Sequence, residues 1–351
     1  MISGKRHGQL VSLLALGLVT GFASTAAMAE DSITVTSYGG TYQEAESKAM
    51  FQPAAKELGI TIKEDNLADG LPDVRLQVQG HAVKWDVVEL SAEECVRGTQ
   101  EGLFEKLDYS VIDPSGIDKK LVADNWIGVT FYAVVLAYNK SGKLGENGPK
   151  TWADFWDVTK FPGARTLGNY ATESLTLAAM ADGTPPDKVY PIDLDKAFKK
   201  LEEIKPHVTS WWSSGGQVMN LLKDDEVDMG SIWNGRANTL VKSGAPISYT
   251  VSGGVLNADC LVIPKGAKNV TLAQKAIAKF ISPELQANLP KYSANGPANL
   301  KAFDTGKLTA EEAADVISSP QNIKKQVILD FNWWAPLLPD VQKRWQAFLQ
   351  E

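Results

Sequence analysis

The sequence predicts an α/β fold of two domains, each a doubly wound sheet, joined by crossing strands that act as a hinge. Three observations carry this expectation. Short β-branched runs alternate with helical runs, as at residues 33–37, 43–58 and 61–66. The branched runs are apolar at their centres, as in WDVVEL at 85–90, which is how strands covered on both faces of a parallel sheet read. Finally, 351 residues exceed what a single core comfortably holds.

The first 29 residues are expected to be a secretory signal. Lys5 and Arg6 form a basic start, residues 10–23 are apolar, and Ala27-Met28-Ala29 offers a small-residue cleavage site. The apolar run is too short for a stable membrane span. Removing 29 of the 351 residues leaves 322 and takes the formal charge from −7 to −9. An acidic exported chain does not attract nucleic acid. Cys95 and Cys260 are the two cysteines, and their spacing allows either one disulfide or two buried thiols. Three histidines and two cysteines rule out a His/Cys-rich metal site, and no cofactor is expected.

Along the chain, a strand at 33–37 ends in Tyr38-Gly39-Gly40-Thr41-Tyr42 and a helix follows. Such a turn exposes backbone N–H groups at a helix start, with Tyr38 and Tyr42 at its lip. It reads either as a tight connection or as a ligand-facing turn. After a strand at 61–66 and a helix at 73–79, the strand at 85–90 delivers Glu89 and the helix cap Ser91. Ligands of doubly wound sheets sit at the carboxyl ends of strands, so Glu89 either meets an amine there or is a solvated loop acid. Residues 130–139, TFYAVVLAYN, read as a strand crossing to the second domain. Glu173, in the first turn of a helix at 171–180, reads as an acid that complements the helix dipole.

The stretch 211–263 concentrates recognition chemistry. Trp211 and Trp212 lead into Ser213-Ser214-Gly215-Gly216 and a helix at 217–223. A strand at 227–233 ends in Trp233 and brings Arg236 just beyond it. A Gly253-Gly254 turn separates a strand at 247–251 from an apolar strand at 260–263, which Asp259 opens. A guanidinium matches a carboxylate, and an acid opening an apolar strand is costly to bury without a cation. Arg236 and Asp259 either pair with each other or hold opposite ends of a cleft. In the second case they select a solute with a carboxylate and an amine, and Tyr38, Trp212 and Trp233 cover its methylene chain.

The segments ITVTSYGGTYQEA, WDVVELSAEECVRGTQEGLFEKLD, SSGGQVMNLLKDDEVDMGSIWNGRA and GGVLNADCLVIPKG are similar to those of extracellular solute-binding proteins of ABC importers. The resemblance lies in the spermidine/putrescine-binding branch of the two-domain periplasmic-binding fold and spans essentially the mature chain. It implies one domain from residues 30–137 plus 259–305, another from 138–258 plus 306–351, and a ligand cleft between them. It also implies a monomer that closes on its solute and hands it to an inner-membrane permease. In the polyamine binders a Trp-x-Asp pair holds an amine; its acid falls on Asp259, and Asn257 stands at the tryptophan position. Arg236 would repel a second ammonium, which turns the resemblance toward relatives that bind γ-aminobutyrate between an Arg and an Asp. The expected ligand-binding set is Tyr38, Gly39, Gly40, Tyr42, Glu89, Ser91, Trp212, Ser214, Gly215, Trp233, Arg236 and Asp259. The competing classes are an exported hydrolase and a ferric-iron carrier. His81 and His207 lie in no nucleophile motif and no G-x-S-x-G elbow is present, and Tyr38 with Tyr42 is a thin iron-ligand set.

Overall fold

The structure is a computed structural model that describes Met1 and residues 31–350. The expected signal segment, 1–29, otherwise lies outside the described residues.

The first half of the chain builds a parallel sheet edge. Strand β1 (Ser32–Ser37) runs into Gly39 and Gly40, whose φ angles of 72° and 59° suit glycine. Helix α1 (Gly40–Glu46) starts there, widens into a π-helical turn at Ser47–Phe51 and continues as α2 (Gln52–Leu58). Next come β2 (Thr61–Asn66), α3 (Leu71–Gln79), β3 (Val87–Ser91) and α4 (Ala92–Gln100). Ser91 caps α4 as expected, in a reciprocal pair with Glu94. A short β4 (Val122–Ala123) precedes β5 (Trp126–Asn139), which starts four residues earlier than its sequence pattern indicates.

The second half repeats the pattern with α5 (Trp152–Trp156), β6 (Arg165–Gly168), α6 (Ala171–Ala181), α7 (Leu194–Ile204), β7 (Val208–Trp212), α8 (Gly215–Lys223) and β8 (Met229–Trp233). Helix α9 (Asn234–Lys242) begins directly after β8, so Arg236 stands in a helix's first turn rather than in a loop. Strand β9 (Ile247–Val262) then returns. The remaining chain supplies α10 (Val270–Phe280), α11 (Pro283–Gln286), β10 (Gly296–Pro297), α12 (Ala310–Asp315), β11 (Val327–Ile328), α13 (Phe331–Trp334) and α14 (Leu338–Gln350). Phe280 of α10 packs on Phe51, and Trp345 of α14 on Trp211, with ring centroids 4.9 and 5.3 Å apart.

The strand order is β2-β1-β3-β9-β5-β8-β6-β7. β1 is parallel to β2 and β3, and β6 is parallel to β7 and β8. The α/β class is therefore as expected, with two refinements. The two parallel sets are not separate sheets: β5 and β9 run antiparallel through both and make one hydrogen-bonded path. The C-terminal end of β9 pairs with β3, and the second half of β5 pairs with β8. The Gly253-Gly254 turn is also absent as a break. Val134 faces Val255 while Leu136 faces Thr250, so residues 251–254 bulge out of one continuous strand, with Gly253 at φ 73°. Cys95 of α4 and Cys260 of β9 are joined by a disulfide across 165 residues, which closes the alternative left open by their spacing.

Candidate functional site

The carboxyl ends of the two parallel sets carry most of the expected residues. On the first set, Tyr38, Gly39, Gly40 and Tyr42 follow β1, and Glu89 and Ser91 end β3. On the second, Tyr170 and Glu173 follow β6, Ser214 and Gly215 follow β7, and Trp233 ends β8. Asp259 lies on β9 between Ser91 of β3 and Thr130 of β5.

Asp259 is 5% exposed and makes no ion pair among the described residues. Hydroxyls surround it instead. Thr130 Oγ1 donates to Oδ2 at 3.0 Å, Tyr42 OH lies 3.2 Å from the same oxygen, and Tyr38 OH makes a long 3.4 Å contact to Oδ1. Tyr42 OH also donates to Glu89 Oε1 at 2.7 Å. Ser37 Oγ lies 2.5 Å from Glu89 Oε2 and 2.6 Å from Glu46 Oε2. Three buried carboxyls thus form one chain of hydrogen bonds, with no counter-ion among the described residues. Burial pushes the Asp259 carboxyl well above its ordinary range, and the Glu89 charge adds to this. Burial does the same to Glu46, with Glu89 again second, and raises Glu89 itself. It also raises the phenols of Tyr38 and Tyr42 well above their usual value. Tyr38 is 42% exposed, but its hydroxyl turns inward to Asp259.

A second cluster is aromatic. Trp233 meets Tyr132 at 6.5 Å, Tyr170 at 5.6 Å and Trp212 at 5.0 Å between centroids. Trp212 is fully buried behind it, with Nε1 on Ser231 Oγ, so it backs this cluster instead of facing into the site. Glu173 is 6% exposed and does more than complement a helix dipole. Asn257 Nδ2 donates to its Oε1 at 2.7 Å, while Oε2 and the neighbouring Trp233 Nε1 are buried without a partner of good geometry. Burial pushes the Glu173 carboxyl up to about 8.

Arg236 and Asp259 do not pair with each other. Arg236 is exposed, its guanidinium stem lies over Gly215, and it makes no ion pair among the described residues. Ser214 is an exposed cap of α8, and Gly215 is the one position beside Arg236 where a Cβ would meet its Nε. A cavity of about 390 Å³ borders Gly39 and Gly40 on the side of Gln43, Ser47 and Glu64, and one of about 610 Å³ borders Asn234, Asn238, Lys242 and Tyr249.

Glu46, Ser37, Thr130, Tyr132 and Tyr170 also join these two clusters, and no sequence pattern singled them out. Glu46 had one available signal: it lies four residues beyond Tyr42, on the same helix face. The others join the clusters only when distant strands meet.

Buried carboxyls and hydroxyls together with a cluster of aromatic rings offer the chemistry of a small-solute binding protein. The comparisons agree with that class. Residues 49–316 match the model of the bacterial extracellular solute-binding proteins, and the chain belongs to that family. Its members are the solute-capturing components of ABC importers, working with a membrane permease rather than as enzymes. An ABC transporter substrate-binding protein from Bradyrhizobium japonicum superposes with a TM-score of 0.86 at 44% identity, covering 90% of this chain and 99% of that one. The GABA receptor Atu4243 superposes with a TM-score of 0.79 at 35% identity, over 91% and 97% of the two chains. A γ-aminobutyric acid-binding protein of Pseudomonas aeruginosa is 30% identical over 93% of both chains. A spermidine/putrescine-binding periplasmic protein of Escherichia coli is 26% identical over 88% of both. Among the described residues no helix is long and apolar enough to cross a membrane.

Proposed function

We propose that this protein captures an amine-bearing solute, an ω-amino acid such as γ-aminobutyrate, in the periplasm and delivers it to an inner-membrane ABC permease. The observation that carries this reading is the Asp259–Tyr42–Glu89 cluster, buried acids with no cation of their own. An isolated buried carboxylate costs several kcal/mol, and an arriving ammonium offsets that cost. The ammonium sits at Asp259 with Glu89 behind it, Tyr38 and Tyr42 beside it, and Trp233 along the methylenes. Arg236, a guanidinium without an ion pair at the mouth of α8, is the partner for the carboxylate. The similarity to γ-aminobutyrate binders at 30% and 35% identity supports the same end.

Closure on the solute is part of this proposal. Residues 30–137 plus 259–305 form one lobe and 138–258 plus 306–351 the other, with β5 and β9 as the hinge. The chain acts as a monomer and has no nucleic-acid partner. One observation favours a second reading, a polyamine: Glu173 sets a further buried acid, with Oε2 unpartnered, in the aromatic cluster.

A thermal-shift screen against γ-aminobutyrate, other ω-amino acids, putrescine and spermidine separates the two. A ligand at a hundred times its Kd adds roughly 2.7 kcal/mol of stability. A shift with γ-aminobutyrate and none with putrescine supports the zwitterion; the reverse supports the polyamine. No shift with any amine removes the amine reading.

A further inference from the structure

Glu46 is 1% exposed, ends α1 where the helix widens into its π turn, and makes no ion pair among the described residues. A π turn in a helix frequently marks a functional position. Here it sets the Glu46 carboxyl beneath β1, against Ser37 and facing Glu89.

The hydrogen atoms of this cluster can be counted. Four contacts join five groups in a row: Glu46 to Ser37 at 2.6 Å, Ser37 to Glu89 at 2.5 Å, Glu89 to Tyr42 at 2.7 Å and Tyr42 to Asp259 at 3.2 Å. Each hydroxyl brings one proton, so Ser37 and Tyr42 fill two of the four. Ser37 cannot donate to both Glu46 and Glu89. Tyr42 gives its proton to Glu89, the nearer acid, which leaves its contact with Asp259 without one. Both gaps close if Glu46 and Asp259 each carry a proton and Glu89 accepts from both sides. The row then reads Glu46–H to Ser37 to Glu89⁻ from one end and Asp259–H to Tyr42 to Glu89⁻ from the other. Thr130 Oγ1 lies 3.0 Å from both Tyr42 OH and Asp259 Oδ2 and gives its one proton to the aspartate, while Tyr38 makes the long contact to Oδ1.

We propose that this row exchanges a proton for an ammonium ion: in the empty protein Glu46 and Asp259 are both neutral, and docking of the amine drives the Asp259 proton to solvent. Glu46 keeps its proton throughout and acts as a positioning residue, holding Ser37 and Glu89 in the arrangement that leaves Glu89 as the single anion. The balance is R–NH3⁺ plus Asp259–COOH giving the R–NH3⁺·Asp259–COO⁻ pair and one H⁺. The titratable groups facing the row are Tyr38, Tyr42 and Tyr132, with Glu94 beyond Tyr38. Among the described residues no Lys, Arg or His forms a salt bridge to Glu46, Glu89 or Asp259. Burial raises the carboxyls of Glu46, Asp259 and Glu89 alike, in keeping with a row that holds protons.

This inference rests on the amine reading for the exchange but not for the protonation of Glu46, so the test has two arms. Infrared difference spectra of the free protein at neutral pH compare wild type with Glu46→Gln, whose amide keeps a donor toward Ser37. Loss of one protonated-carboxyl band is expected; loss of a carboxylate band overturns the assignment. Calorimetry of the wild type with γ-aminobutyrate and with putrescine, in two buffers of different ionisation enthalpy, counts protons. Release of one proton per amine is expected, with Kd weakening about tenfold per pH unit below the Asp259 midpoint. Binding with no proton released overturns the exchange and leaves the amine reading standing. Failure of both amines to bind overturns the exchange and the amine reading together, while the infrared arm still decides Glu46.

Discussion

Thr130 and Asp259 stand opposite one another on β5 and β9, and the threonine hydroxyl donates to the aspartate Oδ2 at 3.0 Å. The two are 129 residues apart in sequence. This bond favours the charged form of an acid that burial otherwise keeps neutral. Replacing Thr130 with Val keeps the shape and removes the donor. The Asp259 carboxyl then rises further, and amine affinity falls roughly 10- to 100-fold, the worth of a bond to a charged group. Titration calorimetry across pH checks this; an unchanged Kd places the threonine outside the ligand's reach.

Asp259→Ala removes the ammonium partner itself. Binding of γ-aminobutyrate or putrescine should disappear while circular dichroism and cooperative unfolding persist. Retained affinity would take Asp259 out of the site.

Arg236 is exposed and makes no ion pair among the described residues, so Arg236→Ala should change stability by less than about 0.5 kcal/mol. Its effect on binding is selective. Affinity for a carboxylate-bearing amine falls, and affinity for putrescine holds or improves as a repulsive charge is lost. Equal losses for both ligands would give Arg236 a structural role.

Glu173 sets a pH dependence of stability. Its carboxyl is raised from 4.5 to about 8 in the folded protein, because burial disfavours the charge. A raised folded value means that the folded state holds the proton more tightly. Stability from this group is therefore fully present below about 4.5, declines as pH rises through that window and is lost above about 8. Glu173→Gln makes the neutral form permanent and keeps an oxygen for the Asn257 amide. The variant should match wild type near pH 4.5 and exceed it by roughly 2–5 kcal/mol near pH 9. Denaturant unfolding at the two pH values measures the difference; parallel curves would mean that the acid titrates normally.

The Cys95–Cys260 bond ties α4 to the strand that carries Asp259. A double Cys95→Ser, Cys260→Ser variant should lose roughly 2–5 kcal/mol, because the bond constrains a long loop in the unfolded chain. Thermal unfolding in the presence and absence of reductant tests it; a wild type insensitive to reductant and equal in Tm to the variant would contradict it.

Much of this protein was legible in its sequence, for a local reason. Side-chain period and turn chemistry are properties of neighbouring residues, so β2 falls on residues 61–66 as read, and α4 starts at its Ser91 cap. The same local logic placed Tyr38, Tyr42, Glu89, Trp233 and Asp259 at or near strand ends, because parallel strands expose their carboxyl ends to a crevice. Asp259 could be singled out because an acid in an apolar strand needs a reason to be there.

What the tertiary structure decided is which of these groups meet. Gly253-Gly254 reads as a turn, yet pairing along β5 carries the strand through it and turns the glycines into a bulge. Arg236 and Asp259, complementary on paper, do not pair. The helical pattern over 43–58 does not set Glu46 apart, and only the π turn and the approach of β3 bury it against Ser37 and Glu89. Tyr42 and Asp259 lie 217 residues apart in sequence. Their contact depends on β9 returning beside β3, a closure that no local pattern encodes. The sequence alone thus determined the α/β alternation and the kind of chemistry at the strand ends. The charge state and partners of each acid came from burial and long-range pairing, which exist only once the chain has folded.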